Sequence, residues 1–476
     1  LRERLGGGGG GGGGMGSMGS SGSGGGGGGG GGVFGSDWIH ARGGVLVVVG
    51  LLAQKTASEG IDSYFLGNRK LPWWVLGASG MASNTDIAGT MINTAFIYAL
   101  GTKGFFIEIR GGVTLIMAFL MVFMGKWNRR SQVMTQAEWM HFRFGKGKEG
   151  DIARIIAAIA SIIMTIAMVT YFVIGAGKFV GEFLSIEPIY ASLLMVVLAM
   201  IYTVASGLHG VVWTDVFQGV FIFAVIIYVV VMAMSMVNLP EEFLVSVPMM
   251  DGSFTAIKTS LSEWARIAPP KTMDMPEGST FAIYNLFGIA IMFYLFKVTL
   301  EGASGAGGYM LQRYFAAKSD REAGLLSLFW TSLLAFRWPL IGSFAMLGVY
   351  HGIETGNVIA DPELVLPTVI KNYIPVGVKG FLIAGLMAAA MSTFDSTVNA
   401  GAAYWVKDLY QTFLKKDATE KELIFQSRLS SLVIVSLALL FSLTISNINE
   451  IWGWITMGIG AGMFIPQVIR WYWWRF

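Results

Sequence analysis

Ten stretches of this chain are apolar for about the length of a bilayer, over roughly 71–100, 104–125, 152–177, 188–206, 211–237, 281–306, 323–350, 376–406, 426–446 and 450–474. A helix needs about 20 apolar residues to cross the hydrocarbon core. Hydrophobic residues make up 54% of the chain and charged ones 13%, so the reading is an all-α polytopic protein with the lipid bilayer as its solvent. The net charge of +3 does not point to nucleic acid, because the basic residues lie in loops between apolar segments and form no basic arm. Cysteine is absent, which removes disulfides and thiolate chemistry. His40, His141, His209 and His351 fall at segment ends or in loops, so no transition-metal constellation or organic cofactor is expected. No His-, Cys- or Ser-based catalytic group has partners, which argues against an enzyme, and no span carries a ring-forming filter signature of a channel.

Two of the ten segments are interrupted. In the first, Ala82-Ser83-Asn84-Thr85-Asp86-Ile87-Ala88-Gly89 places polar side chains, an acid and a glycine in mid-span. That suggests an unwound joint whose freed carbonyls can coordinate a cation, or else a hairpin or re-entrant loop. The sixth segment breaks at Glu301-Gly302-Ala303-Ser304-Gly305-Ala306-Gly307-Gly308. Each half thus opens on a broken segment, the pattern of inverted repeats that build a midplane site. Lys297 and Glu301 stand i, i+4, so a helix-stabilising ion pair competes with ligand binding there. Glu108 and Arg110 sit just inside the second segment, with interfacial anchoring open for Arg110. Asp215 lies near the start of the fifth, where a carboxylate also suits a helix N-terminus.

The stretch Gly380 to Tyr410 is the most telling. Ala389, Ser392, Thr393 and Ser396 recur at i, i+3, i+4 and i+7, a polar stripe on a helix otherwise apolar and small. With Asp395 it places polar groups at mid-depth, where an ionisable side chain costs about 2.5–3.5 kcal/mol and a functional reading is the default.

The expected organisation is a glycine-rich segment over 1–36, a truncated peripheral helix and loop over 37–70, a first five-helix repeat over 71–237, a loop over 238–280 and a second five-helix repeat over 281–476. The first segment is a flexible coil if natural, or an expression scar or a stand-in for undetermined residues. Basic residues alternate between the connections. Lys126, Arg129, Arg130, Arg143, Lys146 and Lys148 follow the second span; Arg313, Lys318 and Arg321 the sixth; Lys407, Lys415, Lys416 and Lys421 the eighth. The positive-inside rule makes these connections cytoplasmic, together with the Leu71 end and the C-terminal tail. The membrane is then a bacterial inner membrane or a plasma membrane.

Several stretches together resemble the sodium:solute symporter family, which includes sodium/sugar and sodium/proline cotransporters. They are DSYFLGNRKLPWW from Asp62, Ala82-Ser83-Asn84, YTVASGLHGVVWTDVFQ from Tyr202, QRYFAAKS from Gln312, DPELVLP from Asp361 and AGLMAAAMSTFDS from Ala384, and the match runs from about Asp62 to Phe476. The resemblance implies a LeuT-type bundle of five plus five inverted helices, with broken first and sixth core helices, that imports a solute with sodium. It further implies a sodium site made by the backbone carbonyls of Ala82 and Thr85, the carbonyl of Ala389 and the hydroxyls of Ser392 and Thr393. In some members a second cation site or the exit route uses residues like Asp215, Asp395 and Ser396.

For the solute, the resemblance points to Asn84, Glu108 and Glu301, with the cationic Arg110 and Arg337 as additions. Ala303 offers no ring as a gate and Gly89 lacks the polar side chain of sugar carriers, which puts a simple hexose in doubt. Arg337 either grips a carboxylate bidentately or pairs with Glu108 or Glu301. Family members usually have a full peripheral helix before this stretch and continue beyond Phe476. The expected function is sodium-coupled import of a small polar solute, sugar-like, amino acid or carboxylate. The rival is a transport-inactive sensor or structural subunit of the same fold, and the oligomeric state stays open.

Overall fold

The computed structural model describes residues 65–305, 309–445, 447–473 and 475. The glycine-rich segment and the short apolar stretch Trp38 to Gln54 lie outside the described residues, as do positions 306–308 of the second interruption.

Helix α1 (Trp73–Asn84) starts on Pro72, which is extended and lacks only an N–H that a helix start leaves unbonded anyway. It ends where Asn84, Thr85 and Asp86 compete with helical hydrogen bonding: Thr85 N turns back to the Ala82 carbonyl at 3.1 Å. Asp86 is extended and caps α2 (Ile87–Leu100) by accepting from Gly89 N at 2.9 Å, the usual task of an N-cap carboxylate. At 12 and 14 residues, neither helix crosses a bilayer alone.

The second span is also divided. Helices α3 (Lys103–Gly111) and α4 (Val113–Arg130) meet at 51° about Gly112. A short helix α5 (Glu138–Phe144) leads into α6 (Lys148–Leu184) and α7 (Pro188–Met236). The two spans expected over 188–206 and 211–237 therefore run on as one helix. The connection holds glycines but no proline, and glycine costs a helix only about 1 kcal/mol against alanine. The polar loop that follows contains an antiparallel hairpin of β1 (Glu242–Pro248) and β2 (Phe254–Ser260), with Glu242 opposite Ser260 and Val245 opposite Ile257.

In the second half come α8 (Phe287–Ala303), α9 (Tyr309–Phe315), α10 (Asp320–Leu334), α11 (Arg337–Thr355) and α12 (Val365–Tyr373). The chain continues through α13 (Val376–Ala403), α14 (Glu420–Ser442), α15 (Ile448–Gly453) and α16 (Gly460–Tyr472). Among the described residues six helices are long and apolar enough to cross a membrane, or seven with the bent α3–α4 pair. The count falls below ten because broken spans contribute short halves and because two expected spans run together in α7.

Helix α13 is the centre of the bundle, packed on α1, α6, α7 and α14. From Ala388 to Ala403 every residue except Met391 is buried, and their small size lets neighbouring backbones come close.

Basic stretches gather at one end. Arg129 and Arg130 both pair with Asp320, at 3.1 and 2.6 Å, and Arg143 donates to the carbonyls of Arg470 and Trp473. At the other end of α6, Lys178 pairs with Asp361 and Glu363 and Glu182 with Lys371. The loop after β2 closes over the end of α2 there: Trp264 donates Nε1 to the Tyr98 carbonyl at 3.0 Å, and Thr102 N donates to the Trp264 carbonyl at 2.9 Å. Gly101 has φ +65°, and a Cβ on it would stand 1.9 Å from the Trp264 oxygen, so this turn requires glycine.

Candidate functional site

The last turn of α1 meets the middle of α13 through oxygen atoms. Thr393 donates its hydroxyl to the Ser83 carbonyl at 2.5 Å and lies 3.0 Å from the Ala389 carbonyl. Ser392 and Ser83 share a hydroxyl hydrogen bond of 3.0 Å. Ala389, Ser392 and Thr393 are fully buried or nearly so, as are Ala82, Ser83 and Thr85. The polar stripe and the first interruption are thus neighbours in space. The Thr85 hydroxyl turns back to the Met81 carbonyl at 3.0 Å and the Ala82 carbonyl accepts from Thr85 N. Ser83, passed over in the sequence, is the α1 residue joined directly to both Ser392 and Thr393.

Arg313 departs from expectation. Counted among the loop charges, it is instead a fully buried side chain on α9 that ties three helices together. It donates to Ser79 (Nε 3.1 Å, Nη2 2.8 Å) and to Ser83 at 2.7 Å on α1. It also donates to Ser396 at 3.1 Å on α13 and stands 3.6 Å from Asp215 on α7. Ser79 donates in turn to Asp215. Asp215 and Ser396, expected near a second cation, are therefore brought together around a guanidinium that supplies positive charge itself. A buried carboxylate needs such a partner. Asp395 is also fully buried, next to Ser396 in the chain.

The expected solute residues divide. Asn84, Glu108 and Arg337 line one cavity of about 50 Å³, together with Asp86, Gly89, Asn93, Tyr171 and Trp452. Asn84 also accepts from Trp330 Nε1 at 2.9 Å. Glu301 lines a neighbouring cavity of about 150 Å³, where it pairs with Lys297 at 2.8 Å. Lys297 also donates to the Arg110 carbonyl at 2.9 Å. The i, i+4 ion pair is thus formed, and Arg337 makes no ion pair with Glu108 or Glu301. Arg110 lies at neither surface: it is buried, donates to Asn449 Oδ1 at 2.7 Å and stacks over Phe96 at 4.8 Å. Interfacial anchoring is excluded by that burial. Asp86 had a signal in the sequence, the acid in the first interruption. Tyr171 and Trp452 had none, since each is one aromatic residue in an apolar run.

Among the described residues no group of three or more His, Cys, Asp or Glu could hold a metal ion. The oxygen junction of α1 and α13 has another character: hydroxyls and carbonyls at a broken helix, which suits a coupling ion that must bind and leave. A helical membrane bundle with such a centre defines the class of secondary transporters.

The chain belongs to the sodium:solute symporter family, whose model matches residues 64–476. It is 27% identical over 436 residues to the sodium/glucose cotransporter of Vibrio parahaemolyticus, covering 86% of this chain and 75% of that one. It is 24% identical to sodium/glucose cotransporter 4 of Danio rerio, covering 85% of this chain and spanning 62% of that relative's length. Its fold is similar to a sodium-coupled sialic acid symporter solved in a substrate-bound outward-open state. The TM-score is 0.69 at 19% identity, over 92% of this chain and 85% of the other. The fold is thus the LeuT-type bundle, and the family is one of sodium-coupled transporters, not of enzymes. The sensor or structural-subunit reading has no support among these relatives.

Proposed function

We propose that the protein imports a small polar solute by alternating access, coupled to sodium bound between α1 and α13. The carbonyls of Ala82, Thr85 and Ala389 and the hydroxyls of Ser392 and Thr393 are its ligands. The observation that carries this reading is the convergence of Ser392 and Thr393 on the end of α1, with Thr393 Oγ1 2.5 Å from the Ser83 carbonyl and Ser392 Oγ 3.0 Å from Ser83 Oγ. Sodium entering there satisfies oxygens from both helices and draws them together, so the ion stabilises the form that binds solute. Inward opening separates them and releases both. One charge crossing 100 mV provides about 2.3 kcal/mol before any concentration term.

Asn84, Glu108, Asp86 and Arg337 contact the solute. Asp215, Asp395 and Ser396 lie on the ion's inward route, with Arg313 beside them. The two repeats extend over 71–237 and 281–476, with the fourth and fifth spans of the first continuous in α7. The end carrying Arg129, Arg130 and Arg143 faces the cytoplasm, with the start of α1 and the C-terminal tail, because basic connections stay on that side. The membrane is a bacterial inner membrane or a plasma membrane.

The test is uptake into proteoliposomes with and without a sodium gradient, with Ser392→Ala and Thr393→Ala beside the wild type. Each variant should raise the sodium concentration needed for half-maximal uptake. Uptake whose sodium dependence is untouched by both changes would put the ion elsewhere.

A further inference from the structure

The cavity beside α2 holds charges of both signs that are kept apart. Arg337, at the first position of α11, has Nε and Nη2 buried without a hydrogen-bond partner, and among the described residues it forms no ion pair. Two carboxylates share its cavity, Asp86 and Glu108, and both lie within its electrostatic reach. Gly89 lies beside Arg337 and Asp86. A Cβ on Gly89 would stand 2.8 Å from Arg337 Nη2, 2.8 Å from Asp86 Oδ1 and 3.0 Å from the Tyr171 hydroxyl. The three polar tips thus surround one bare stretch of backbone, where any larger residue would intrude. Trp452, which also lines the cavity, has its Nε1 buried and without a partner.

Leaving guanidinium donors buried and unbonded costs free energy, and so does holding carboxylates at a distance from a cation they could reach. Each ligand class meets this arrangement differently. A simple carboxylate would satisfy Arg337 but face two like charges. A simple amine would satisfy the acids but leave the guanidinium unbonded and add a like charge beside it. A neutral sugar can hydrogen-bond to every group yet neutralise none. A molecule carrying a carboxylate and an ammonium a few ångströms apart gives Arg337 and Asp86 each a counter-ion, and Glu108 lies within reach of Arg110 as well.

The larger chamber adjoins this one across Asn84, Gly111, Val113, Met168 and Trp452, which line both. Its far wall includes Met463 and Phe464, a surface suited to an apolar side chain.

We infer that the solute is a zwitterionic amino acid with an apolar side chain: its carboxylate on Arg337, its ammonium on Asp86 and Glu108, and its side chain toward Met168. This rests on the sodium-coupled transport reading and narrows the solute within it.

The experiment is uptake by the full chain into sodium-free proteoliposomes with sodium or potassium in the outer medium, using leucine, the amine and the acid that each lack one of its charged groups, and glucose. Sodium-dependent uptake of leucine, at least about tenfold above the other three, is expected from charge-assisted hydrogen bonds at both ends. Arg337→Gln should raise the leucine KM by about tenfold or more, Arg337→Lys by less, and Glu108→Gln should weaken leucine while sparing the acid. Leucine binding by the purified variants, read as a thermal shift, separates lost recognition from lost folding. Sodium-dependent uptake of glucose or of the acid in preference to leucine overturns the inference and leaves sodium coupling standing. Leucine uptake that is indifferent to sodium overturns the coupling reading and leaves the solute assignment standing. Absence of uptake of all four by protein that keeps its thermal midpoint overturns the solute assignment and leaves sodium coupling standing.

Discussion

Arg313 and Asp215 face each other 3.6 Å apart with both side chains fully buried, and Ser79 completes the link by accepting from the guanidinium and donating to the carboxylate. The three helices that carry Arg313, Asp215 and Ser79 are thereby joined by charge through side chains buried in the bundle.

Breaking one side of that pair should therefore be costly. Removing one partner of a buried ion pair costs about 3–5 kcal/mol, because the survivor stays charged and desolvated, whereas replacing both with apolar groups is often neutral. Arg313→Met and Asp215→Leu are each expected to lower the thermal midpoint in detergent sharply. The double variant should recover most of the loss. Additive losses in the double variant would mean that the two groups do not depend on each other.

A second test concerns packing next to the solute cavity. Gly80 sits under the Trp330 indole so closely that a Cβ would come within 2.3–2.4 Å of three ring atoms. The same indole donates to Asn84 Oδ1, so moving the ring also moves a cavity residue. Gly80→Ala should cost about 1–3 kcal/mol by overpacking and should raise the KM for solute. An unchanged KM with unchanged tryptophan emission would show that the ring shifts without disturbing Asn84.

How much of this could be read beforehand depends on the range of the interaction. The stripe Ala389, Ser392, Thr393 was visible because helical period alone places those residues on one face. The break at Thr85 and Asp86 was visible because short polar side chains undo a helix locally. That α1 and α13 were partners came from the family resemblance. Arg313 was misplaced because charge counting treats an arginine between spans as a loop residue; what buries it is Asp215, distant in sequence and brought near only by the bundle. Arg110 misled for the same reason, its partner Asn449 lying near the other end of the chain. The continuous α7 was missed because Gly207-Leu208-His209-Gly210 falls between two apolar runs, and glycine permits a break in a helix without requiring one.

Acid should loosen the loop that closes over α2. The hydrogen bond from Lys103 holds the Glu263 carboxyl below its ordinary pKa, and Lys103 itself is buried. For a carboxyl whose folded value is depressed, the stabilisation is fully present above the unfolded value of 4.5 and disappears as pH falls through the folded one. Glu263→Gln should thus lower the thermal midpoint modestly at neutral pH, since the Glu263 side of the pair is half exposed and screened. Below the folded value, variant and wild type should converge. A difference that persists in strong acid would rule out the carboxylate's charge as its source.

The last prediction separates the ion site from the arginine cluster that adjoins it. Ser83 accepts from Arg313 Nη2 at 2.7 Å and shares a hydrogen bond with Ser392 at 3.0 Å, so its hydroxyl connects the guanidinium to a proposed sodium ligand. Ser79, one turn earlier on α1, connects the same guanidinium to Asp215 and has no bond to Ser392 or Thr393 among those that join α1 to α13. One neutral hydrogen bond is worth about 0.5–1.5 kcal/mol. Ser83→Ala, which frees the Ser392 hydroxyl to rotate, should therefore raise the sodium concentration for half-maximal uptake by roughly 2- to 10-fold, with the solute KM at saturating sodium unchanged. Ser79→Ala should lower stability through Asp215 and leave sodium affinity nearly as it was. Equal effects of the two changes on sodium would mean that Arg313, not Ser392, transmits them, and the ion would then have to be sought nearer Asp215.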